Sequence, residues 1–189
     1  MRPLPLITAV LTTAALTAPV HAEVTERGEG RTGAMFSVGL GGGHLGCDND
    51  GEDCSGDGPV QAGSFFGEVG AMVAPGLAVL GHLAVTAHRD DDVTVSQTML
   101  AGALRAWLVP RLWVEGGLGV ARAKVDVDGE VIDLMSESDT VPAVLAGVGV
   151  ELISTDAFAL DVNLRAGSGL YRDDVRLYQA SLGVGASFF

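Results

Sequence analysis

The stretch FALDVNLRA, residues 158–166, decides the fold. Phe158, Leu160, Val162, Leu164 and Ala166 alternate with Ala159, Asp161, Asn163 and Arg165. Successive side chains of a strand point to opposite faces, so this segment reads as a strand with one aliphatic and one polar face. The same period continues in both directions. Val144, Ala146, Val148, Val150 and Leu152 precede it, and Tyr178, Ala180, Leu182, Val184, Ala186 and Phe188 follow. Further upstream the aliphatic rows are Leu77, Val79, Leu83 and Val85, then Leu100, Leu104, Ala106 and Leu108, then Leu112, Val114, Leu118 and Val120. Strands are expected near 34–45, 63–74, 77–88, 93–108, 112–125, 140–152, 158–170 and 175–189. Each apolar run has the roughly 9–11 residues that a tilted strand needs to cross a bilayer.

The connections alternate in kind. Ala74-Pro75-Gly76, Val109-Pro110-Arg111 and the stretch from Ile153 to Ala157 are short. The others are acidic, the longest being 46–62 and 126–139. Short turns at one end and longer polar loops at the other suit a transmembrane β-barrel. The second face carries Glu68, His82, Arg105, Glu115, Glu151, Asp161 and Arg165 among many glycines. A soluble sandwich buries its apolar face and solvates its charges. This polar face is too small and glycine-rich for a solvated exterior and suits a narrow lumen. An arginine facing lipid near the midplane costs about 2–4 kcal/mol, so Arg105 and Arg165 mark the inside. The expected fold is all-β, an eight-stranded antiparallel up-and-down transmembrane barrel over residues 34–189.

Counting back from the turns predicts lumen pairs. A turn centred on Pro110 sets Arg105 opposite Glu115 and Trp107 opposite Trp113. One centred on Pro75 sets Glu68 opposite His82. Directly opposed side chains are close enough to pair. Arg165 is expected to reach Glu151 or Asp161. These charges read as a salt-bridge plug, with a gated or proton-sensitive pore as the alternative.

The chain opens with a different composition. Arg2 is followed by an apolar run from Leu4 to Val20, and Val20-His21-Ala22 offers a cleavage site. Residues 1–22 therefore read as a secretory signal, and 23–33, with Arg27 and Arg31, as a polar tail. No later segment has the ~18 uninterrupted apolar residues of a membrane helix. The formal charge is −13, with Arg2 the single charge in residues 1–22, so the remainder carries −14. That balance argues against nucleic acid, which selects clustered Lys and Arg.

In these features the chain resembles the small eight-stranded outer-membrane barrels of the OmpA/OmpX type. The matching features are the signal, four hairpins across 34–189, the short turns and the terminal aromatic Phe189. The resemblance implies the bacterial outer membrane, with both termini periplasmic, and contact with outer-membrane lipid and lipopolysaccharide. It also implies insertion by the barrel-assembly machinery, which reads a lipid-facing aromatic at the chain end. Phe189 is the candidate, although the outward row ends at Phe188. Either a bulge corrects the register or Phe189 caps the lumen.

Cys47 and Cys54 are the two cysteines. In an exported chain they most simply form a disulfide closing an acidic loop. Asp48, Asp50 and Asp53 in that loop make a weak calcium candidate, because the position of the bidentate acid in a calcium loop holds Pro59. Arg89, Arg122, Lys124, Arg172 and Arg176 sit at loop ends of strands on the lipid-facing parity, and read as a ring meeting lipopolysaccharide phosphates. His88, Asp90 and Ser96 are the nearest approach to a triad, and no enzyme motif surrounds them. The expected role is non-enzymatic and needs no cofactor: envelope structure, or surface interaction through loops with a partner the sequence does not name. A narrow channel for small solutes and a lipid-modifying enzyme are the alternatives, separable by conductance and by lipid A mass profiles.

Overall fold

The computed structural model describes residues 31–49, 52–53, 59–90, 93–127, 130–132, 140–171 and 175–189. In chain order the strands are β1 (Gly33–Asn49), β2 (Glu52–Asp53), β3 (Val60–Ala74), β4 (Leu77–Asp90) and β5 (Val93–Val109). They continue with β6 (Leu112–Val127), β7 (Glu130–Ile132), β8 (Val141–Ser154), β9 (Phe158–Leu170) and β10 (Val175–Phe188). Each long strand pairs antiparallel with the next, and β10 pairs back onto β1 from Phe36↔Phe188 to Asn49↔Val175. The eight long strands thus close into a barrel. The short β2 and β7 extend β1 and β6 into the loops.

Parity sets inside from outside. Along β9, Ala159, Asp161, Asn163 and Arg165 are buried while Leu164 and Leu170 are exposed. Leu40, Val69, Leu83, Leu104, Leu118, Val150 and Leu182 likewise stand on the exterior. The exposed apolar belt reaches Leu40, Phe65, Leu100 and Val120. Toward the loops the outward positions turn polar: His44 opposite Gln61, and Thr98 opposite Arg122. The barrel strands have 13–17 residues, more than a bilayer crossing needs, so their loop ends extend past the apolar belt.

The turn end departs from strict alternation. Registers shift between Met72 and Ala74, Trp107 and Val109, and Glu151 and Ile153. Each shift is a bulge placed just before a hairpin turn. In consequence Val73 with Ala74, Leu108 with Val109 and Leu152 with Ile153 expose two consecutive apolar residues. The third hairpin therefore keeps strand geometry to Ser154, one residue beyond the start of the expected connection. Gly76, with φ 71, follows Pro75 in the first turn. Proline followed by a positive-φ glycine is the pattern of a type II turn.

Candidate functional site

The lumen of the turn-end half is ionic. Glu68 on β3 and Glu115 on β6 share two guanidiniums. Arg105, on β5, donates from Nη2 to both Glu68 Oε2 and Glu115 Oε2, and its Nε donates to Glu115 Oε2 at 2.9 Å. Arg165, on β9, donates from Nη1 to Glu68 Oε1 at 2.7 Å and to Glu115 Oε1 at 3.2 Å. His82 Nδ1 lies 3.0 Å from Glu68 Oε1 and 3.3 Å from Glu115 Oε1. The hairpin pairs Glu68↔His82, Arg105↔Glu115 and Trp107↔Trp113 all occur in the register. Arg165 differs from the expectation, crossing the lumen to Glu68 and Glu115 instead of pairing with Glu151 or Asp161. Asp161 accepts from Asn163 Nδ2 at 2.7 Å, and Arg165 Nε donates to Asn163 Oδ1 at 3.3 Å.

Rings lie against these cations. Arg105 sits over Trp113 at 4.1 Å and Arg165 over Phe66 at 3.7 Å, measured to ring centroids. Such contacts are worth about 0.5–2 kcal/mol when desolvated. Wall glycines make the space: a Cβ at Gly149 would strike the Trp113 ring, and one at Gly39 the Phe66 ring. The glycine-rich polar face is therefore a packing surface for two aromatics. Glu68, His82 and Glu115 together have a geometry that could hold a metal ion. Both carboxylates already neutralise two guanidiniums, so a dication would sit beside two positive charges. The donor set does not fit a metal.

A second ionic unit closes the turn-end mouth, and composition alone does not point to its key residue. Arg31, which falls in the polar tail by sequence, is only 3% exposed. It donates from Nη1 and Nη2 to Glu151 Oε1 and Oε2, both at 2.8 Å. Trp107 Nε1 donates to the same Glu151 Oε1 at 2.7 Å. Phe189 packs against the core, with Arg31 4.0 Å above its ring and Trp107 edge-on at 6.0 Å. Phe189 thus caps the lumen, and the outward aromatic is Phe188, which tilts against Phe158 at 5.3 Å.

The loop-end half of the lumen is filled differently. Leu45, Met99, Leu145 and Tyr171 are buried there with several alanines. The cavity bounded by Phe66, His82, Met99 and Arg165 measures about 20 Å³, space for a single water. Arg89, Arg122, Lys124 and Arg176 are exposed at the loop ends, and Arg172 lies outside the described residues. Asp48, half-buried, sits opposite Arg176 in the register. The backbone of Asp53 is in β2, and Asp50 and Cys54 lie outside the described residues, as does the 1–22 segment. His88 Nδ1 is 2.6 Å from the Gln61 carbonyl oxygen, and Ser96 pairs in the ladder with Ala87. No triad geometry links His88 to Ser96 among the described residues.

A closed antiparallel barrel with an aliphatic exterior and a paired ionic lumen defines an integral membrane β-barrel. The chain belongs to the outer membrane protein beta-barrel domain family, whose sequence pattern matches residues 8–188. Among solved structures it is similar to Neisserial surface protein A (NspA), at 16% identity over 81% of this chain and 96% of that chain, with a TM-score of 0.62. It is similar to Ail, the attachment invasion locus protein of Yersinia pestis, at 18% identity over 82% of this chain and 99% of that one, TM-score 0.55. Ail in complex with the heparin analogue sucrose octasulfate matches at 17% identity over the same shares of the two chains, TM-score 0.55. At these identities the likeness is one of fold. No curated protein matches the sequence.

Proposed function

We propose that the chain is a non-enzymatic integral barrel of the bacterial outer membrane that acts through its outer surface and loops, with both termini periplasmic. The observation that carries this reading is the filled lumen. Arg105, Glu68 and Glu115 are buried at 1–5% exposure, and the cavity next to their partners His82 and Arg165 measures about 20 Å³. A barrel of eight strands is just wide enough for side chains to fill it. Solute flux would have to break several ion pairs at once. In planar bilayers the protein is expected to leave the baseline current unchanged, and a stable open level would establish the channel reading instead.

The surface function has a chemical direction. Arg89, Arg122, Lys124 and Arg176 are exposed at loop ends, and with Arg172, which lies outside the described residues, they would meet lipopolysaccharide phosphates. Guanidinium pairs with phosphate through charge-assisted, often bidentate hydrogen bonds. Ail, similar in fold, has been solved in complex with the heparin analogue sucrose octasulfate, and the basic residues proposed here would suit a polyanion of that kind. Replacing all five residues by Gln is expected to lower lipopolysaccharide co-purification, and unchanged co-purification would rule out the ring as a lipopolysaccharide contact. Export by residues 1–22, a Cys47–Cys54 disulfide and recognition of the C-terminal aromatics by the assembly machinery belong to the same proposal. Mass spectrometry of the non-reduced mature protein reads both the cleavage after Ala22 and the disulfide. Calcium at Asp48, Asp50 and Asp53 remains the weaker reading of that loop, tested by calorimetric titration.

A further inference from the structure

The mouth at the turn end is lined by side chains anchored to the hairpin turns. Three side chains from separate strands line it: Trp107 from β5, Glu151 from β8 and Phe189 after β10. Each is fixed by a backbone bond to a neighbouring hairpin turn. Trp107 N donates to the Gly76 carbonyl at 2.9 Å, Glu151 N to the Arg111 carbonyl at 2.8 Å, and Phe189 N to the Ala157 carbonyl at 3.1 Å. Trp107 and Glu151 are also the last inward residues before two of the bulges. The walls are therefore held by the barrel backbone and do not depend on the group between them.

That group is the Arg31 guanidinium. Its edge meets the Glu151 carboxylate in a bidentate pair, the Ser154 hydroxyl at 2.9 Å and the Thr155 carbonyl at 3.3 Å. Its face meets Phe189 at 4.0 Å and Trp107 at 5.6 Å. This is the full recognition pattern of a planar cation: a carboxylate fork, further acceptors in the plane and rings on the face. β8 stands three strands from β1 in the closed order, so the side chain reaches across the mouth. Gly33, with φ 87, makes the turn from β1 into this crossing. A Cβ there would meet nothing within 4 Å, so the glycine serves the backbone angle alone.

We propose that the turn-end mouth is a preformed alkylguanidinium site, that Arg31 is its tethered occupant, and that the docked Arg31 side chain seals the lumen at this end. The site is separate from the Glu68–Glu115 cluster and needs no molecule passing through the barrel. Vacating it leaves a buried carboxylate that keeps the Trp107 indole N–H and the Ser154 hydroxyl but has lost its cationic fork, a state that a free alkylguanidinium would relieve.

Acrylamide quenching of tryptophan in the full-length folded protein tests this. Arg31→Gln is expected to raise the quenching constant by about twofold, because Trp107 loses its cover. Millimolar ethylguanidinium should return it to the native value, whereas ethylammonium should not. Arg31→Lys should stay close to Arg31→Gln, since a single ammonium makes no fork. In Arg31→Gln/Trp107→Phe, which retains Trp113, the ethylguanidinium response should vanish. Unchanged quenching in Arg31→Gln, rescue by both cations or by neither, or a response that survives removal of Trp107 would each overturn the proposal. Should Arg31→Gln fail to reach the folded, heat-modifiable form, its refolding is compared with and without ethylguanidinium. Recovery of folded yield supports the site, and no recovery overturns it.

Discussion

The two halves of the lumen share one parity rule and are filled by opposite means. The turn-end half holds three arginines paired with carboxylates and stacked on Trp113, Phe66 and Phe189. The loop-end half holds Leu45, Met99 and Leu145 among alanines, with Gln97 Oε1, Tyr171 Oη and Gln179 Oε1 buried without a hydrogen-bond partner among the described residues. Ion pairs are directional and fail when one member is lost. Aliphatic packing tolerates exchange at constant volume. One half is thus specified residue by residue, and the other mainly by size.

Substitutions can break or sharpen that contrast. The largest effect is expected from Arg105→Ala, which removes one of the two guanidiniums that Glu68 and Glu115 share and takes the nearer cation from the Trp113 ring. Losing one member of a buried pair costs about 3–5 kcal/mol, read as a fall in the urea midpoint of the detergent-folded barrel. Next comes Gly149→Ala, whose methyl would collide with the Trp113 ring. Overpacking of this kind costs about 1–3 kcal/mol and should shift the near-ultraviolet circular dichroism of tryptophan. In the loop-end half, Met99→Leu conserves volume and should cost less than about 1.5 kcal/mol by the same urea measurement. If Met99→Leu proved as damaging as Arg105→Ala, the two halves would not differ in the way described. The smallest change in stability is expected from Gln substitution of Arg89, Arg122, Lys124 and Arg176, within about 0.5 kcal/mol, because they touch exposed positions away from the packed lumen.

The same contrast explains what could be read from sequence. Pairs within a hairpin were legible, because counting from Pro75 and Pro110 fixes Glu68 against His82 and Arg105 against Glu115. The partners of Arg165 were not, since Glu68 and Glu115 lie on strands that do not neighbour β9, and the distance across a lumen leaves no periodic trace. Arg31 escaped because it precedes the first alternating residue and pairs with Glu151, 120 positions away. The bulges had a signal: the apolar doublets Val73-Ala74, Leu108-Val109 and Leu152-Ile153 all fall just before a turn. Strict alternation cannot place two neighbours on one face, so each doublet marked a register shift. Phe189 was legible as a choice between two geometries, and the mouth packing of Arg31 and Trp107 selects the cap.

Which face of the sheet meets hydrocarbon is tested most directly by nuclear Overhauser contacts in phospholipid nanodiscs. Methyl groups of Leu104, Leu118, Leu164 and Leu182 are expected to give cross-peaks to acyl-chain methylenes, and those of Ala101, Ala103, Ala121 and Leu145 none. Acyl cross-peaks from the alanine set, with the leucines silent, would contradict the membrane assignment.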